Sequence, residues 1–280
     1  MFGLPSTPTS SSVIQPATSL MIDHAVIVVK DLEEAMVDYT DLGFNVVKGG
    51  QHTDGISQNA LIGFHDGSYI ELYDVLRWPE SPPEDRLKNR FIRNAARGEG
   101  LSDFALLTDD MSGLVQEAAH RGLVLHGPTE GGRMRPDGQE LRWLSAVPEE
   151  MPYPFLIQDV TENYLRLPDQ LEHPNGANGI AGLIVAVGGL GEAVEPFNLL
   201  LDSSPIETRS DLPGSAGLDY TLPGATLTLM MPIGLNSPLH DPLTQRGPSP
   251  FQLKLYTDDI DRVGLLDLEK THGARIEMVG

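Results

Sequence analysis

The chain has 280 residues and carries 40 acidic against 19 basic side chains, a formal net charge of −21. This charge argues against nucleic acid or an anionic membrane as the main partner, because phosphate binding needs clustered Lys and Arg. The absence of cysteine excludes disulfides and thiolate chemistry, so a metal would have to sit on His, carboxylate or amide ligands. A hydrophobic content of 40% is typical of a globular protein with one large or two ordinary domains.

Residues 1–20 are rich in Ser, Thr and Pro and lack the basic start and apolar core of a signal peptide. We interpret them as a disordered tail, and Met21 as an alternative start. No apolar run approaches the roughly 20 residues that a membrane-spanning helix needs. The sequence therefore predicts a cytoplasmic location and no membrane partner.

The first folded stretch, residues 22–75, is predicted to be a βαβββ unit. A strand over residues 22–29 precedes an amphipathic helix over 31–42, and three further strands follow, the last over 69–73. This unit has His24 in its first strand and Glu71 in its last, each flanked by apolar residues. A polar side chain in such a strand points inward only when it has a partner.

The opening strand and its turn recur along the chain. Similar stretches occupy residues 102–111 and 249–260, and a weaker copy covers 180–187. In three copies an Asp ends the strand and is predicted to cap the next helix: Asp31, Asp110 and Asp259. The predicted helices after the second and fourth copies cover 114–121 and 263–271, and a connecting helix is predicted over 84–97.

These repeats predict an α+β fold of four tandem βαβββ modules that form curved mixed sheets, with the last module truncated after its second strand. The turn-rich segment 168–178 is predicted to be a linker. The predicted organisation is a tail (1–20), a domain of two modules (21–175), and a second domain with a divergent and a truncated module (176–280).

Several local strings carry a resemblance to a known family. They are Asp23-His24, Gly49-Gly50-Gln51-His52, Asn59-Ala60-Leu61, Gly67-Ser68-Tyr69-Ile70-Glu71-Leu72, Arg142-Trp143 and Pro154-Phe155-Leu156-Ile157. Together with the repeated module, they resemble the vicinal oxygen chelate superfamily, which includes glyoxalase I and the extradiol dioxygenases, and in particular its glyoxalase-like branch. The resemblance is strong over residues 21–175 and weak over 176–280.

The resemblance implies that paired modules form a cup with a metal near its floor, held by the first and fourth strands of each module. His24 and Glu71 match the two ligand positions of module one, and their chemistry suits Fe, Mn, Zn, Co or Ni. The alternative is that His24 is a buried structural histidine bonded to Glu71.

The second pair of ligands is incomplete. Repeat alignment places Asp103 and Gln252 at the His24 position of modules two and four, while Leu156 and Thr228 replace Glu71. Asp103 could be a ligand, a base or a cap. We slightly favour pairing of module one with module four, which brings Gln252 to His24 and Glu71. The alternative, pairing with module two, brings Asp103.

Further residues could act on a substrate. His52 is predicted to be a ligand or general base at the cup mouth, or else an exposed loop residue. Arg142 is predicted to face an anionic substrate as a cationic fork. Three other residues could line the substrate pocket or merely pack in the sheet: Tyr69, Tyr73 and Trp143. Asn59 could bind a substrate oxygen or close a turn.

These observations support two hypotheses. The first is a metal-dependent enzyme, with His52, Glu71 and Arg142 catalytic, that binds two neighbouring oxygens of a small molecule and stabilises an enolate, as a lyase, isomerase or dioxygenase. The second is a metal-free protein that uses the same cup to sequester a small hydrophobic ligand. The sequence leaves open whether the chain forms a homodimer.

Overall fold

The computed structural model describes residues 19–53, 55–149, 152–208 and 212–280. Apart from Ser19 and Leu20, the predicted tail lies outside the described residues. Leu20 is buried in the hydrophobic core, so the folded part begins slightly before the predicted boundary. No helix in these described ranges has the length and apolar content needed to cross a membrane.

Module one has the predicted βαβββ order. Asp31 caps its helix by accepting hydrogen bonds from the backbone amides of Glu33 and Glu34, which confirms the predicted cap. The module consists of β1 (Met21–Val29), α1 (Leu32–Asp41), β2 (Val47–His52), β3 (Ser57–Gly63) and β4 (Tyr69–Val75), and α2 (Arg86–Ala95) connects it to the next module.

Module two repeats this order and closes a barrel with module one. It consists of β5 (Gly100–Leu107), α3 (Met111–His120), β6 (Leu125–Met134), β7 (Glu140–Pro148) and β8 (Phe155–Asp159), followed by the short helix α4 (Asn163–Arg166). The closed barrel has the strand order β1-β4-β3-β2-β6-β7-β8-β5.

Modules three and four form a separate seven-stranded sheet. Module three has β9 (Ala177–Ala186), α5 (Leu190–Leu201), β10 (Ile206–Glu207), β11 (Ser215–Leu222) and β12 (Ala225–Pro232). After α6 (His240–Arg246), module four has β13 (Ser249–Thr257), β14 (Gly264–Leu265) and β15 (Ile276–Val279). The strand order is β10-β11-β12-β9-β13-β15-β14.

The pairing of strands shows the internal repeat. In every module the first strand pairs in parallel with the last, as β1 with β4, β5 with β8, β9 with β12 and β13 with β15. The first strands then pair antiparallel, β1 with β5 and β9 with β13. The favoured pairing of module one with module four was therefore wrong, and the structure has the alternative, module one with module two.

One continuous hydrophobic core joins the outer face of the barrel to the second sheet. It contains side chains of both, such as Ile27 and Leu72 of the barrel and Leu183, Leu227 and Leu253 of the sheet. The predicted linker crosses between them, from the last barrel strand to β9, and the predicted domain boundary at 175/176 falls within it.

The helix predicted over residues 263–271 was wrong. Asp259 caps only a 3-10 turn, Ile260–Arg262, and the chain then forms the edge strand β14 and a series of turns. Contacts with the barrel hold these turns, because Tyr39 Oη donates to the Thr271 carbonyl at 3.1 Å. Tertiary contacts thus override the local helical pattern.

Candidate active site

The barrel interior brings His24 of β1 next to Glu71 of β4. Parallel pairing aligns Val26 with Glu71, and alternation along the strands places both polar side chains on the face that points into the barrel. His24 Nε2 lies 3.6 Å from Glu71 Oε2, and both side chains are almost completely buried. The two residues that the sequence selected first therefore meet inside the barrel.

A buried chain of charges fixes the His24 ring. His24 Nδ1 lies 2.5 Å from Asp23 Oδ2, and an ionised carboxylate can only accept, so Nδ1 carries the proton. Arg166 donates both Nη groups to Asp23, at 2.7 and 2.8 Å. Burial alone would raise the pKa of Asp23, but Arg166 and His24 hold it well below its ordinary value. His24 consequently directs Nε2 towards Glu71.

His52 approaches Glu71 from β2. Its Nε2 lies 3.7 Å from Glu71 Oε1, and its Nδ1 is hydrogen-bonded to Ser57 Oγ at 2.9 Å. Asn59 of β3 donates to the same Oε1 at 2.7 Å. The Asn59 side-chain oxygen Oδ1 is buried without a hydrogen bond to any described residue, and it lies so close to Gly49 that any Cβ there would clash with it. The structure therefore places His52 and Asn59 in the barrel interior, not in an exposed loop or turn.

Two adjacent cavities, which share lining residues, surround this cluster. We call the deeper one the inner chamber; it has a volume of about 40 Å³ and is lined by His24, His52, Asn59, Tyr69, Glu71, Leu87, Phe91, Arg133, Trp143, Phe155, Ile157 and Arg166. We call the outer one the vestibule; it has a volume of about 260 Å³ and shares His52, Leu87, Phe91 and Trp143 with the inner chamber. Tyr73, Arg142 and Gly131 are among its other lining residues. A ligand would thus meet aromatic rings before it reaches Glu71.

Tyr69 and Trp143 both contribute rings near the histidines. Tyr69 stacks on His24 with ring centroids 4.4 Å apart, and Trp143 meets His52 edge-on at 6.3 Å. Burial raises the pKa of the Tyr69 hydroxyl well above its ordinary value, although Arg166 opposes the shift. The phenol therefore stays neutral and accepts a hydrogen bond from Arg166 at 2.8 Å.

Arg142 lies in the vestibule but is not an unpaired cation. Its Nη2 donates to Glu130 Oε2 at 3.0 Å, and both side chains are exposed. Exposed ion pairs of this kind contribute little energy and rearrange easily. That Arg142 faces an anionic substrate therefore stays a prediction: the residue lines the vestibule, but Glu130 already pairs with its charge.

Asp103 acts as an anchor for α2. Arg90 donates Nε to Asp103 Oδ2 at 2.6 Å, and Asn94 donates to the same oxygen at 2.9 Å. This buried pair holds α2 over the barrel mouth, where Phe91 packs against Tyr73 and Phe155 at 5.0 and 5.4 Å between ring centroids. Because its oxygens are occupied by Arg90 and Asn94, Asp103 does not join His24 and Glu71.

Gln252 lies outside the barrel, on β13 of the second sheet. Its amide donates to Glu277 Oε2 at 2.7 Å and accepts from Arg275 Nε at 2.7 Å. The structure therefore does not bring Gln252 to His24 and Glu71, because module one pairs with module two.

Comparison with known proteins places this barrel in a family. The glyoxalase-like domain matches residues 22–199, which is more than half of the chain and extends into the third module. The chain belongs to the glyoxalase-like domain family. Its fold is that of the vicinal oxygen chelate superfamily. No curated protein matches the chain.

Solved structures share this glyoxalase-like fold at low identity. A hypothetical protein from Staphylococcus aureus matches with a TM-score of 0.66 and 15% identity over 93% of this chain and 99% of that one. A mutant of 4-hydroxymandelate synthase from Streptomyces coelicolor matches at 0.55 and 18%, over 89% and 77%. A fusion of a xylose isomerase-like TIM barrel with 4-hydroxyphenylpyruvate dioxygenase matches at 0.54 and 20%, over 92% and 42%. These likenesses establish the fold alone.

The metal ligands predicted for this glyoxalase-like barrel do not assemble as a set. Of His24, Glu71, Gln252 and Asp103, only the first two converge, and Glu71 Oε1 is already bonded to Asn59. Across the described ranges, no group of three or more His, Asp or Glu side chains is arranged to hold a metal ion. The residues therefore do not fit a metal in the arrangement that the resemblance implied.

Sequence reasoning missed Asp23, Arg133 and Arg166 as parts of the site. Arg166 lies after the last barrel strand, and nothing local marks it as an inward residue. Arg133 follows Gly131-Gly132 as Gln51 follows Gly49-Gly50, and β2 pairs with β6 with His52 opposite Arg133. Gln51 is exposed whereas Arg133 is buried, so the repeated double glycine does not indicate that Arg133 points inward.

Proposed function

We propose that the barrel is the active site of a small-molecule enzyme of the glyoxalase-like type. The supporting observation is that Nε2 atoms of His24 and His52 face opposite oxygens of the buried Glu71 carboxylate beneath an aromatic vestibule. The substrate has two neighbouring oxygens, which enter the inner chamber, while its larger body occupies the vestibule. Tyr73 and Trp143 hold that body, and Asn59 and Tyr69 shape the chamber.

The chemistry that suits this cluster is proton transfer next to a carbonyl. Glu71 accepts a proton from the substrate carbon through Oε2, the electron pair moves onto the carbonyl oxygen, and an enolate results. Glu71 then passes the proton to Nε2 of His24 or His52, and the imidazolium that forms delivers it to another substrate atom for isomerisation or to a departing group for elimination. A buried carboxylate between two imidazoles provides a base and acids within one chamber.

The experiment is deuterium exchange. Pyruvate-type 2-oxoacids, which have a C–H next to the carbonyl, and 2-hydroxyketones are incubated with the protein in D₂O, and loss of the C–H signal is followed by ¹H NMR. We expect exchange with the wild type and a fall of at least about 10²-fold in Glu71→Gln. Glu277→Gln, which changes a carboxylate of the second sheet, is the matched control. Equal rates in both variants contradict the proposal.

A divalent cation stays a prediction for this site, supported by the resemblance and by two of the four predicted ligands. Metal analysis of protein purified without chelator tests it, together with the exchange assay repeated after adding Fe²⁺, Mn²⁺, Zn²⁺, Co²⁺ or Ni²⁺. Stoichiometric metal that is lost in His24→Ala supports the cation.

The alternative function is metal-free sequestration of a small molecule. The observation that favours it is the aromatic lining of the vestibule together with the unassembled ligand set. Tight binding of ligands without any deuterium exchange, and with the same affinity in Glu71→Gln, would favour this function over the enzyme.

A further inference from the structure

Arg133 is a buried cation in the inner chamber that the proposed chemistry has not yet used. It lies on β6, is 3% exposed, and lines the same chamber as His24 and Glu71. Its two Nη groups donate to the backbone carbonyls of Gly49 and Arg166. Neither partner is charged, and Arg133 forms no ion pair with any of the described residues.

A guanidinium in this position is energetically unfavourable unless a negative charge compensates it. Burial lowers the pKa of Arg133, and the carboxylate of Glu71 opposes that shift only in part. Its neighbour Arg166, by contrast, is compensated directly by Asp23 and Asp159. Of the two guanidinium groups among the described residues that line the chamber, Arg133 is therefore the one without an ion pair to another described residue.

We infer that Arg133 binds the anionic oxygen of the substrate, and that the site takes small molecules whose head group is a carboxylate or enolate. This inference rests on the proposed function and deepens it by assigning the charge of the substrate. A guanidinium suits the role because its fork of N–H donors matches two oxygens, and the low dielectric of a buried chamber strengthens the contact.

Arg133 therefore takes the role that the sequence suggested for Arg142. Both belong to module two, on β6 and β7, but Arg142 is exposed and paired with Glu130, whereas Arg133 is enclosed beside Glu71. As the substrate carbon loses its proton to Glu71, the negative charge that leaves the carbon appears on the oxygen. A fixed cation next to that oxygen stabilises the product of proton transfer more than the neutral carbonyl.

Oxalate is a suitable probe, because it is a small anion with two neighbouring oxygens. Trp143 lines both cavities, and the only other tryptophan, Trp78, is exposed, so a Trp78→Phe background makes fluorescence report on Trp143 alone. Binding is measured by this fluorescence and by calorimetry, at constant ionic strength and with EDTA-treated protein, so that chelated metal does not contribute.

We expect Arg133→Met to weaken oxalate binding by about 10- to 100-fold, and Arg133→Lys, which keeps the charge, to weaken it less. Arg275→Met, in the second sheet, is the matched control and should bind oxalate as the parent does. The neutral analogue oxamide should bind equally to the parent and to Arg133→Met. If Arg133→Met does not fold, a loss in Arg133→Lys that is specific to oxalate supports the inference.

Three results overturn the inference. They are unchanged oxalate binding in the Arg133 variants, a larger loss in Arg142→Met than in Arg133→Met, and no oxalate binding by the parent at about 10 mM. The outcomes remain separate from the proposed function. If oxalate binding depends on Arg133 but no deuterium exchange occurs, the proposed enzyme function is contradicted and this inference is not. If exchange depends on Glu71 but not on Arg133, this inference is contradicted and the proposed function is not.

Discussion

The barrel and the second sheet are built from the same module, but they satisfy their polar side chains in different ways. In the barrel, closure encloses His24, Glu71 and Arg133 in a chamber away from water. In the second sheet, Gln252 donates a hydrogen bond to Glu277 on the neighbouring strand, and Thr228 donates to Asp219 at 2.6 Å. Among the described residues, the repeated unit thus brings charged groups to face each other across a cavity where two modules close around a volume.

The largest expected difference between the two regions is in how much an arginine of each contributes to the free energy of unfolding. Arg166 makes five hydrogen bonds to Asp23, Asp159 and Tyr69 while buried, so Arg166→Met should lower the free energy of unfolding by about 3–5 kcal/mol. Arg275→Met, which removes one bond in the second sheet, should lower it by about 1 kcal/mol. Urea unfolding at neutral pH measures both changes in the free energy of unfolding. Equal losses in Arg166→Met and Arg275→Met would contradict the expected difference between the two regions.

A smaller difference is expected at the two positions that the repeat aligns with His24. Asp103→Ala leaves Arg90 buried without its carboxylate and should lower the free energy of unfolding by about 3 kcal/mol. Gln252→Ala removes two hydrogen bonds to Glu277 and Arg275 but leaves no buried ion without its partner, and should lower it by about 1–2 kcal/mol. Urea unfolding gives these values, with Asn89→Ala on the outer part of α2 as a control. A Gln252→Ala loss larger than that of Asp103→Ala contradicts the anchor role of Asp103.

The smallest expected effect lies in the linker that joins the two regions. His173 Nδ1 accepts from the Asn45 amide at 2.9 Å, so the buried ring is neutral in the fold. Burial lowers the pKa of His173 below its ordinary value of 6.5. Because of this shift, His173 binds a proton more readily in the unfolded chain than in the fold. The contribution of neutral His173 to the free energy of unfolding is therefore complete above about pH 6.5, and it falls as the pH decreases through the folded-state pKa.

We therefore expect the thermal midpoint of the wild type to fall between pH 7.5 and pH 5.5 by about 2–4 °C more than that of His173→Gln, which corresponds to about 1 kcal/mol. Calorimetry at both pH values measures the difference. A wild type that becomes more stable on acidification, relative to His173→Gln, would show that the linker histidine is charged in the fold.

Most of the fold was predictable because its signals are local. The Asp caps at Asp31 and Asp110 and the alternating strands of each module lie within short stretches of sequence, and the structure has both helices that these caps begin. The segment 263–271 shows where such signals end. It follows an Asp cap and precedes Gly273, as a helix would, yet contacts with α1 hold it in turns.

The candidate site was predictable only in part. His24, Glu71, His52 and Asn59 lie within one module, so their convergence follows from strand order and alternation. Arg133 and Arg166 come from module two and from the helix after it, and their inward direction depends on which modules close the barrel. Gln252 and Asp103 were misassigned for the same reason, since sequence repeats show which positions are equivalent but not which of them face each other.

By itself, the sequence determined the modules, the acidic and cysteine-free chemistry, and the His–Glu pair, because composition, caps and the period of two along strands are properties of neighbouring residues. The tertiary structure alone decided that module one closes with module two, that Asp103 anchors α2, and that Arg133 lies beside Glu71 without an ion pair to any described residue. These outcomes depend on long-range burial, which determines whether a charged side chain meets water, a carboxylate or an enclosed chamber.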